Sequence, residues 1–110
     1  MHPKKIALLA REIALDKKAE DPVILDLANL TSVAHYFLVM HGNSERHVRA
    51  IAEHIRETLK AKKIPIWHLE GMDTGRWVLL DYGLVIVHIF YREIRDFYGL
   101  ERLWGEAKRL

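Results

Sequence analysis

The feature that most constrains the fold is the run LVIVHIFY, Leu84 to Tyr91, which is apolar on both of its alternating faces except at one histidine. In a β-strand, successive side chains point to opposite faces of the sheet. One predicted face carries only large apolar side chains, namely Val85, Val87, Ile89 and Tyr91. The other carries a histidine among apolar neighbours, namely Leu84, Ile86, His88 and Phe90. We expect the first face to form the core and the second to form an outward docking surface, since a large open apolar patch usually marks an interaction site.

The neighbouring segments predict more strands. Trp77 to Leu80 is a second apolar run, and its connection to the first through Asp81, Tyr82 and Gly83 is short enough for an antiparallel hairpin. Three other short runs, bounded by turn residues, are typical of strands: Val23 to Leu27, Tyr36 to Met40, and Ile66 to Glu70.

Helical periodicity appears in two long segments. Pro3 to Lys18 repeats apolar residues at positions three and four apart, and proline is tolerated in a first helical turn. The segment that begins at Ser44 repeats them more strongly and ends before Pro65. Arg92 to Leu110 predicts one or two short helical turns interrupted at Gly99.

This order of elements predicts an α/β fold with a mixed five-stranded sheet and helices mainly on one face. With 110 residues, half of them apolar, residues 1–110 are expected to form a single domain. The chain contains no cysteine, which favours a reducing, cytoplasmic location, and it has no apolar run of the ~20 residues that a membrane-spanning helix needs. The 17 basic residues are interleaved with 15 acidic ones, so no stripe typical of a nucleic-acid-binding protein emerges.

The common catalytic patterns are missing from the sequence. There is no HExxH zinc motif, and the HGNSERH segment lacks both GxGxxG and a P-loop lysine, so Asn43 or Ser44 is expected to cap a helix. A nucleotidyltransferase needs paired carboxylates to hold two metal ions, but Asp26 and Asp81 stand alone at their strand positions. Ser32 lies in an ordinary turn context. We therefore expect a protein that is not an enzyme and that needs neither a cofactor nor a metal.

His88 and the three tryptophans each allow more than one interpretation. The histidine fits a core residue bonded to a backbone carbonyl, a metal ligand, or a polar contact in a docking surface, and we favour the last. Tryptophan is common in small cores and also enriched at binding hot spots, so we expect at least one of Trp67, Trp77 and Trp104 to be an interface anchor.

Three ordered segments resemble one known family over nearly the whole chain. They are HYFLVMHGNSERHVRAIAEHI, EGMDTGRWVLLDYGLVIVHIF and REIRDFYGLERLW. In order and spacing they are similar to the ribosomal silencing factors, also called the RsfS or Iojap family.

This resemblance implies a fold similar to that of nucleotidyltransferases without their catalytic carboxylates. It also implies a function. Family members bind a ribosomal protein on the intersubunit face of the large ribosomal subunit and sterically block joining of the small subunit, which lowers translation when nutrients are short. The mitochondrial and plastid relatives act in ribosome assembly, so a large-subunit assembly factor that uses the same docking face is the alternative.

The resemblance also carries over a set of partner-binding residues by position. They lie on the hairpin strands and the C-terminal segment: Trp77, Leu79, Asp81, Tyr82, His88, Phe90, Tyr98, Leu100 and Trp104. Of these, Leu79, Leu100 and Trp104 are also compatible with a place in the core. Arg76 is expected to reach an rRNA phosphate if the docked edge lies close to it.

Two positions depart from the family pattern. This chain has His35 and Leu84 where the family usually has aspartates. Losing the second aspartate removes a partner for a ribosomal lysine or arginine. It also makes the turn more apolar and more prone to self-association through Leu84. An apolar outer face also predicts a homodimer of the free protein through that face.

Overall fold

A computed structural model describes residues 1–110, and its element order follows the predicted one with short additions at the C-terminus. The elements are α1 (Pro3–Asp16), β1 (Glu20–Asp26), β2 (Tyr36–Gly42), α2 (Glu45–Ala61), β3 (His68–Glu70), β4 (Trp77–Asp81), β5 (Val85–Tyr91), α3 (Arg92–Tyr98), α4 (Leu100–Leu103) and β6 (Lys108–Arg109). The prediction of an α/β domain with a mixed sheet is confirmed.

The sheet has six strands rather than the predicted five, in the order β3-β4-β5-β2-β1-β6. The added strand, β6, pairs antiparallel with β1, with Leu25 opposite Arg109 and Asp26 opposite Lys108. Both β6 residues are exposed and basic, so no alternation of apolar and polar residues announces the strand in the sequence.

Strand pairing explains how the hairpin is built. β2 and β5 are parallel and the other neighbouring strands are antiparallel. The predicted hairpin forms between β4 and β5, where Trp77 lies opposite Phe90 and Leu79 lies opposite His88. Its turn contains Gly83 at φ +88°, a left-handed conformation that favours glycine.

The main core lies between one sheet face and the two long helices. The apolar stripes of α1 and α2 pack on this face, and Val85, Val87 and Ile89 of β5 are fully buried there. This agrees with the face predicted to be the core. Ser44 caps α2, since its hydroxyl accepts a hydrogen bond from the backbone N–H of His47 at 3.0 Å.

The second sheet face is not open along its whole width, which corrects the sequence prediction. The segment from α3 to the C-terminus packs over β5, β2 and β1, where it contributes four partly buried side chains, Ile94, Leu100, Trp104 and Ala107. They cover a second, smaller cluster of Leu25, Leu27, Ala34, Phe37, Val39 and Phe90. The frequent charges of this segment obscured its apolar side in the sequence.

No helix of this fold combines the length and the apolar character that a membrane-spanning segment requires.

Candidate docking surface

The part of the second face that the C-terminal segment leaves accessible lies on β4 and β5. We call it the strand surface and define it by the side chains of Trp77, Leu79, Asp81, Ile86 and His88. The strand register places all five on one face, because Asp81 lies opposite Ile86 and Leu79 opposite His88. All but the histidine are half-buried. The strand surface is therefore apolar at its centre and accessible to a partner.

His88 is the floor of the strand surface, with only 4% of its area exposed. Its Nδ1 accepts a hydrogen bond from the indole N–H of Trp77 at 3.1 Å, so the neutral ring carries its proton on Nε2. Burial lowers the pKa of His88 to about 4, and the ring is neutral at pH 7. The buried Nε2–H has no hydrogen-bond partner within the chain. The interpretation as a carbonyl-bonded core histidine is thus wrong, since the partner is an indole.

Aromatic rings connect the strand surface to α3. The ring of Trp77 lies 4.5 Å from that of Tyr98 and 5.0 Å from that of Phe90, measured between centroids. Tyr98 is 47% exposed and its neighbour Phe97 is 78% exposed, whereas Phe90 lies beneath them with no exposed area. The accessible apolar area therefore continues from β4 onto the end of α3.

A buried ionic network fixes α3 to the sheet. Arg95, with 5% of its area exposed, donates from Nε to Glu101 at 2.9 Å and from Nη1 to Nδ1 of His41 at 2.8 Å. The Nε2 of His41 in turn lies 2.9 Å from the carboxylate of Glu20. Desolvation raises the pKa of Glu20, but the hydrogen bond from His41 and weaker contributions together outweigh it, so this pKa lies below its usual value. The network holds the helix that carries Tyr98.

Sequence reasoning missed this network and two members of the accessible area. Arg95 lies 54 positions from His41 along the chain, and no local spacing connects the two. Ile86 is half-buried on the strand surface and Phe97 is exposed, although neither was assigned to the interface. The predicted alternation of β5 contained the signal for Ile86, which shares a face with His88.

The structure divides the predicted partner-binding residues by accessibility. Trp77, Leu79 and Asp81 are half-buried on the strand surface, and Tyr98 is exposed beside it. Leu100 and Trp104 are half-buried and pack on the second-face cluster, which favours the core alternative for part of each side chain. Trp104 meets Phe37 edge to face with ring centroids 6.2 Å apart.

Besides His88, which is 4% exposed, two further predicted contacts are corrected because their side chains have little or no surface. Phe90 is completely buried under α3, and it supports Trp77 and Tyr98 from below. Tyr82 is 7% exposed and lies in the main core, on the side of α1 and α2. Burial raises the pKa of Tyr82 to about 12, and its hydroxyl has no hydrogen-bond partner. The alternation of side chains along a strand could not reveal the burial of Phe90, because the covering helix α3 lies outside the strand. It could not reveal the burial of Tyr82 either, because this residue lies in the turn.

Asp81 and the two departures from the family pattern meet around the hairpin turn. The carboxylate of Asp81 accepts a hydrogen bond from the backbone N–H of Gly83 at 2.7 Å, so it stabilises the turn. The backbone N–H of His35 donates to the carbonyl of Leu84 at 2.8 Å. Leu84 is 42% exposed and Trp67, beside the same turn, is 75% exposed. His35 and Leu84, where the resemblance led us to expect aspartates, are therefore neighbours in space.

Comparison with known proteins identifies relatives along the whole chain. Residues 1–110 match the family described as "Ribosomal silencing factor during starvation". A protein of Bacillus subtilis named "Ribosomal silencing factor RsfS" is 44% identical over 97% of this chain and 91% of its own length. A protein of Mus musculus named "Mitochondrial assembly of ribosomal large subunit protein 1" is 28% identical over 90% of this chain and 42% of its own length.

The fold is shared with a solved structure. The X-ray crystal structure of a protein from Chromobacterium violaceum superimposes with a TM-score of 0.92 at 39% sequence identity. The match covers 96% of this chain and 88% of that one. The arrangement of the strand surface and the C-terminal cover therefore belongs to a fold already seen by experiment.

Proposed function

Because the chain belongs to the family of ribosomal silencing factors, we propose that it binds the large ribosomal subunit and thereby prevents the small subunit from joining. The family is one of ribosome-associated regulatory factors and not of enzymes. The observation that carries the proposal is the match of the family over residues 1–110. The proposed consequence is repression of translation under nutrient limitation, in the cytoplasm.

The proposed contact is a ribosomal protein on the intersubunit face, bound by the strand surface and the exposed end of α3. Trp77 and Tyr98 are rigid aromatic side chains at the centre of this area, and such residues dominate binding energy at protein interfaces. His88 supports the proposal indirectly, because its hydrogen bond to the indole N–H fixes the orientation of the Trp77 anchor before docking. Leu79 and Ile86 would exclude water around it.

The proposed mechanism is steric occlusion. The molecule measures 35 × 34 × 21 Å along its principal axes, so a chain seated at the subunit interface adds a layer of about 20 Å or more. Surfaces that must approach within van der Waals contact to join are then kept apart. No chemical step, cofactor or metal is needed for this.

A second candidate function is assembly of the large subunit. The name of the Mus musculus relative, "Mitochondrial assembly of ribosomal large subunit protein 1", favours it. An assembly factor would use the same surface but would bind immature particles in preference to mature ones. The two functions therefore differ in the particle that is bound.

Two further contacts belong to the proposal. Arg76 precedes the strand surface directly and is 55% exposed in its side chain, so we expect it to approach rRNA. The free protein is proposed to pair as a homodimer through the apolar area, which would then compete with docking. Binding to the ribosome would shift such a dimer toward monomers.

Co-sedimentation with purified particles tests the proposal. The protein is mixed separately with mature large subunits, small subunits and large-subunit precursors, and the bound fraction is measured. Saturable binding to mature large subunits alone supports a silencing factor. Preferential binding to precursors supports the assembly factor, and binding to none of the three contradicts both.

A further inference from the structure

An open concavity of about 550 Å³ lies at the N-terminal end of α2 and contains an unusual concentration of arginine. Its lining residues are Ser44, Glu45, Arg46, Arg49, Arg76 and Tyr91. We propose that this concavity, called here the arginine concavity, binds the phosphodiester backbone of RNA. The inference rests on the proposed function, because it assigns the RNA component of the same docked complex.

The charges of the concavity favour an anion. Three arginines face a single glutamate, and that glutamate lies 3.7 Å from the guanidinium of Arg76. Arg46 and Arg49 form no ion pair within the chain and lie three positions apart, on one side of the helix. Guanidinium groups bind phosphate oxygens in a bidentate manner, which makes arginine the usual residue for such contacts.

A glycine in the preceding loop brings the arginines together. Gly75 has φ +70°, and a Cβ atom added there would lie 2.6 Å from the carbonyl oxygen of Glu45 and 2.7 Å from Nη1 of Arg49. The loop before β4 therefore packs directly on the first turn of α2, and only glycine allows this approach. Arg76 follows at once and is placed beside the two helix arginines, so the convergence is built into the fold.

The position of the concavity favours RNA over an acidic protein segment. Arg76 is joined directly to Trp77, and its carbonyl accepts a hydrogen bond from the backbone N–H of Tyr91 at 2.8 Å. The concavity thus lies at the end of the two strands that form the strand surface. A chain that docks on a ribosomal protein through these strands presents the concavity to the surrounding ribosome surface, whose most abundant anionic group is the phosphate of rRNA.

The test compares two triple variants of the full chain. Arg46→Gln/Arg49→Gln/Arg76→Gln removes the three charges of the concavity. The matched control, Lys60→Gln/Lys62→Gln/Lys63→Gln, removes three charges around the opposite end of α2. Affinity for the large subunit is measured by co-sedimentation between about 50 and 200 mM salt, a range over which phosphate contacts weaken strongly. Hydroxyl-radical footprinting of the rRNA is measured on the same complexes.

Neutralising the concavity is expected to lower the slope of log K against log salt by about two to three, since each phosphate contact contributes about one. It is also expected to remove a patch of backbone protection that the wild type and the lysine control retain. If wild-type protein binds but the arginine variant keeps its slope and its footprint, the inference is wrong while the proposed function stands. A changed slope without any rRNA protection identifies an acidic protein partner and also overturns it. If wild-type protein does not bind the subunit at all, the proposed function itself fails.

Discussion

The indole N–H of Trp77 donates a hydrogen bond to Nδ1 of His88 at 3.1 Å, diagonally across the β4–β5 pair. This bond fixes the imidazole as the Nε2–H tautomer and places an unpartnered donor under an accessible apolar area. Leaving a buried donor unsatisfied costs about 1 to 3 kcal/mol. The bond to Trp77 also holds the indole in place on the strand surface, so these two residues link the stability of the free chain to its proposed docking.

Truncating the aromatic anchor tests the strand surface. Trp77→Ala is expected to weaken binding to the large subunit by about thirty-fold or more, because central tryptophans contribute about 2 kcal/mol or more at interfaces. Trp67→Ala is the matched control, since Trp67 is 75% exposed and lies outside the strand surface. Affinity is measured by co-sedimentation and folding by far-UV circular dichroism. Equal affinities for the two folded variants would show that the anchor has been misassigned.

Replacing His88 separates its polar contact from its packing. His88→Phe keeps a buried ring but removes the acceptor that orients the indole of Trp77, and we expect about a ten-fold loss of affinity with the fold retained. His54→Phe on α2, where the side chain is 28% exposed and belongs to neither the strand surface nor α3, serves as the control. Full affinity of His88→Phe would mean that the Trp77–His88 hydrogen bond contributes nothing to docking.

The buried imidazole also predicts a pH dependence of stability. The pKa of His88 is about 4 in the folded chain, below its ordinary value of about 6.5, so the unfolded chain binds more protons between these values. The stability contributed by the neutral ring is complete above about pH 6.5 and decreases as pH falls toward about 4, by up to about 1.4 kcal/mol per pH unit. NMR titration of the His88 ring protons measures the pKa of His88 in the folded chain directly. A midpoint near 6.5 would contradict the burial.

Removing Arg95 is expected to loosen the C-terminal cover. Arg95→Ala leaves Glu101 and His41 without their buried partner, and the expected loss is about 2 to 4 kcal/mol in the free energy of unfolding. Arg102→Ala, on the exposed side of α4, should cost much less. Urea denaturation measures both variants, and hydrogen exchange of α3 reports the local effect. Comparable losses for the two would show that the network does not hold α3.

The proposed homodimer is tested by equilibrium sedimentation of the free protein at micromolar concentration. A dimer that Tyr98→Ala weakens is expected, because Tyr98 is 47% exposed at the junction of α3 and the strand surface. A monomer at that concentration would contradict self-association through this area. A dimer that persists in Tyr98→Ala but dissociates in Leu84→Asp would place the contact at the hairpin turn instead.

The sequence predicted the structure best where regularly spaced apolar residues form one continuous core. The stripes of α1 and α2 and the face of β5 with Val85, Val87 and Ile89 were predicted because one period governs each of them. The C-terminal cover was not, since Ile94, Leu100 and Trp104 are spread over a broken helix rich in charge. Phe90 was consequently placed on the outside although it is completely buried.

Contacts between distant segments set the limit for the candidate site. The position of Arg95 depends on Glu20, His41 and Glu101 together, and the spacing of these residues in the sequence does not predict that they meet. The Trp77–His88 hydrogen bond depends on strand register and on the direction of both side chains. The short hairpin turn suggests the register, but the sequence does not give the side-chain directions. The arginine concavity likewise needed the close packing of Gly75 on α2 to become visible.

The most direct test of the account is subunit joining. Purified protein is added in increasing amounts to large subunits, small subunits are then supplied, and whole ribosomes are quantified by gradient sedimentation, with Trp77→Ala in parallel. If the protein acts by occlusion, the wild type reduces the number of whole ribosomes in proportion to its occupancy of the large subunit, and the variant requires a much higher concentration. Undiminished formation of whole ribosomes at saturating occupancy would contradict occlusion as the function of this protein.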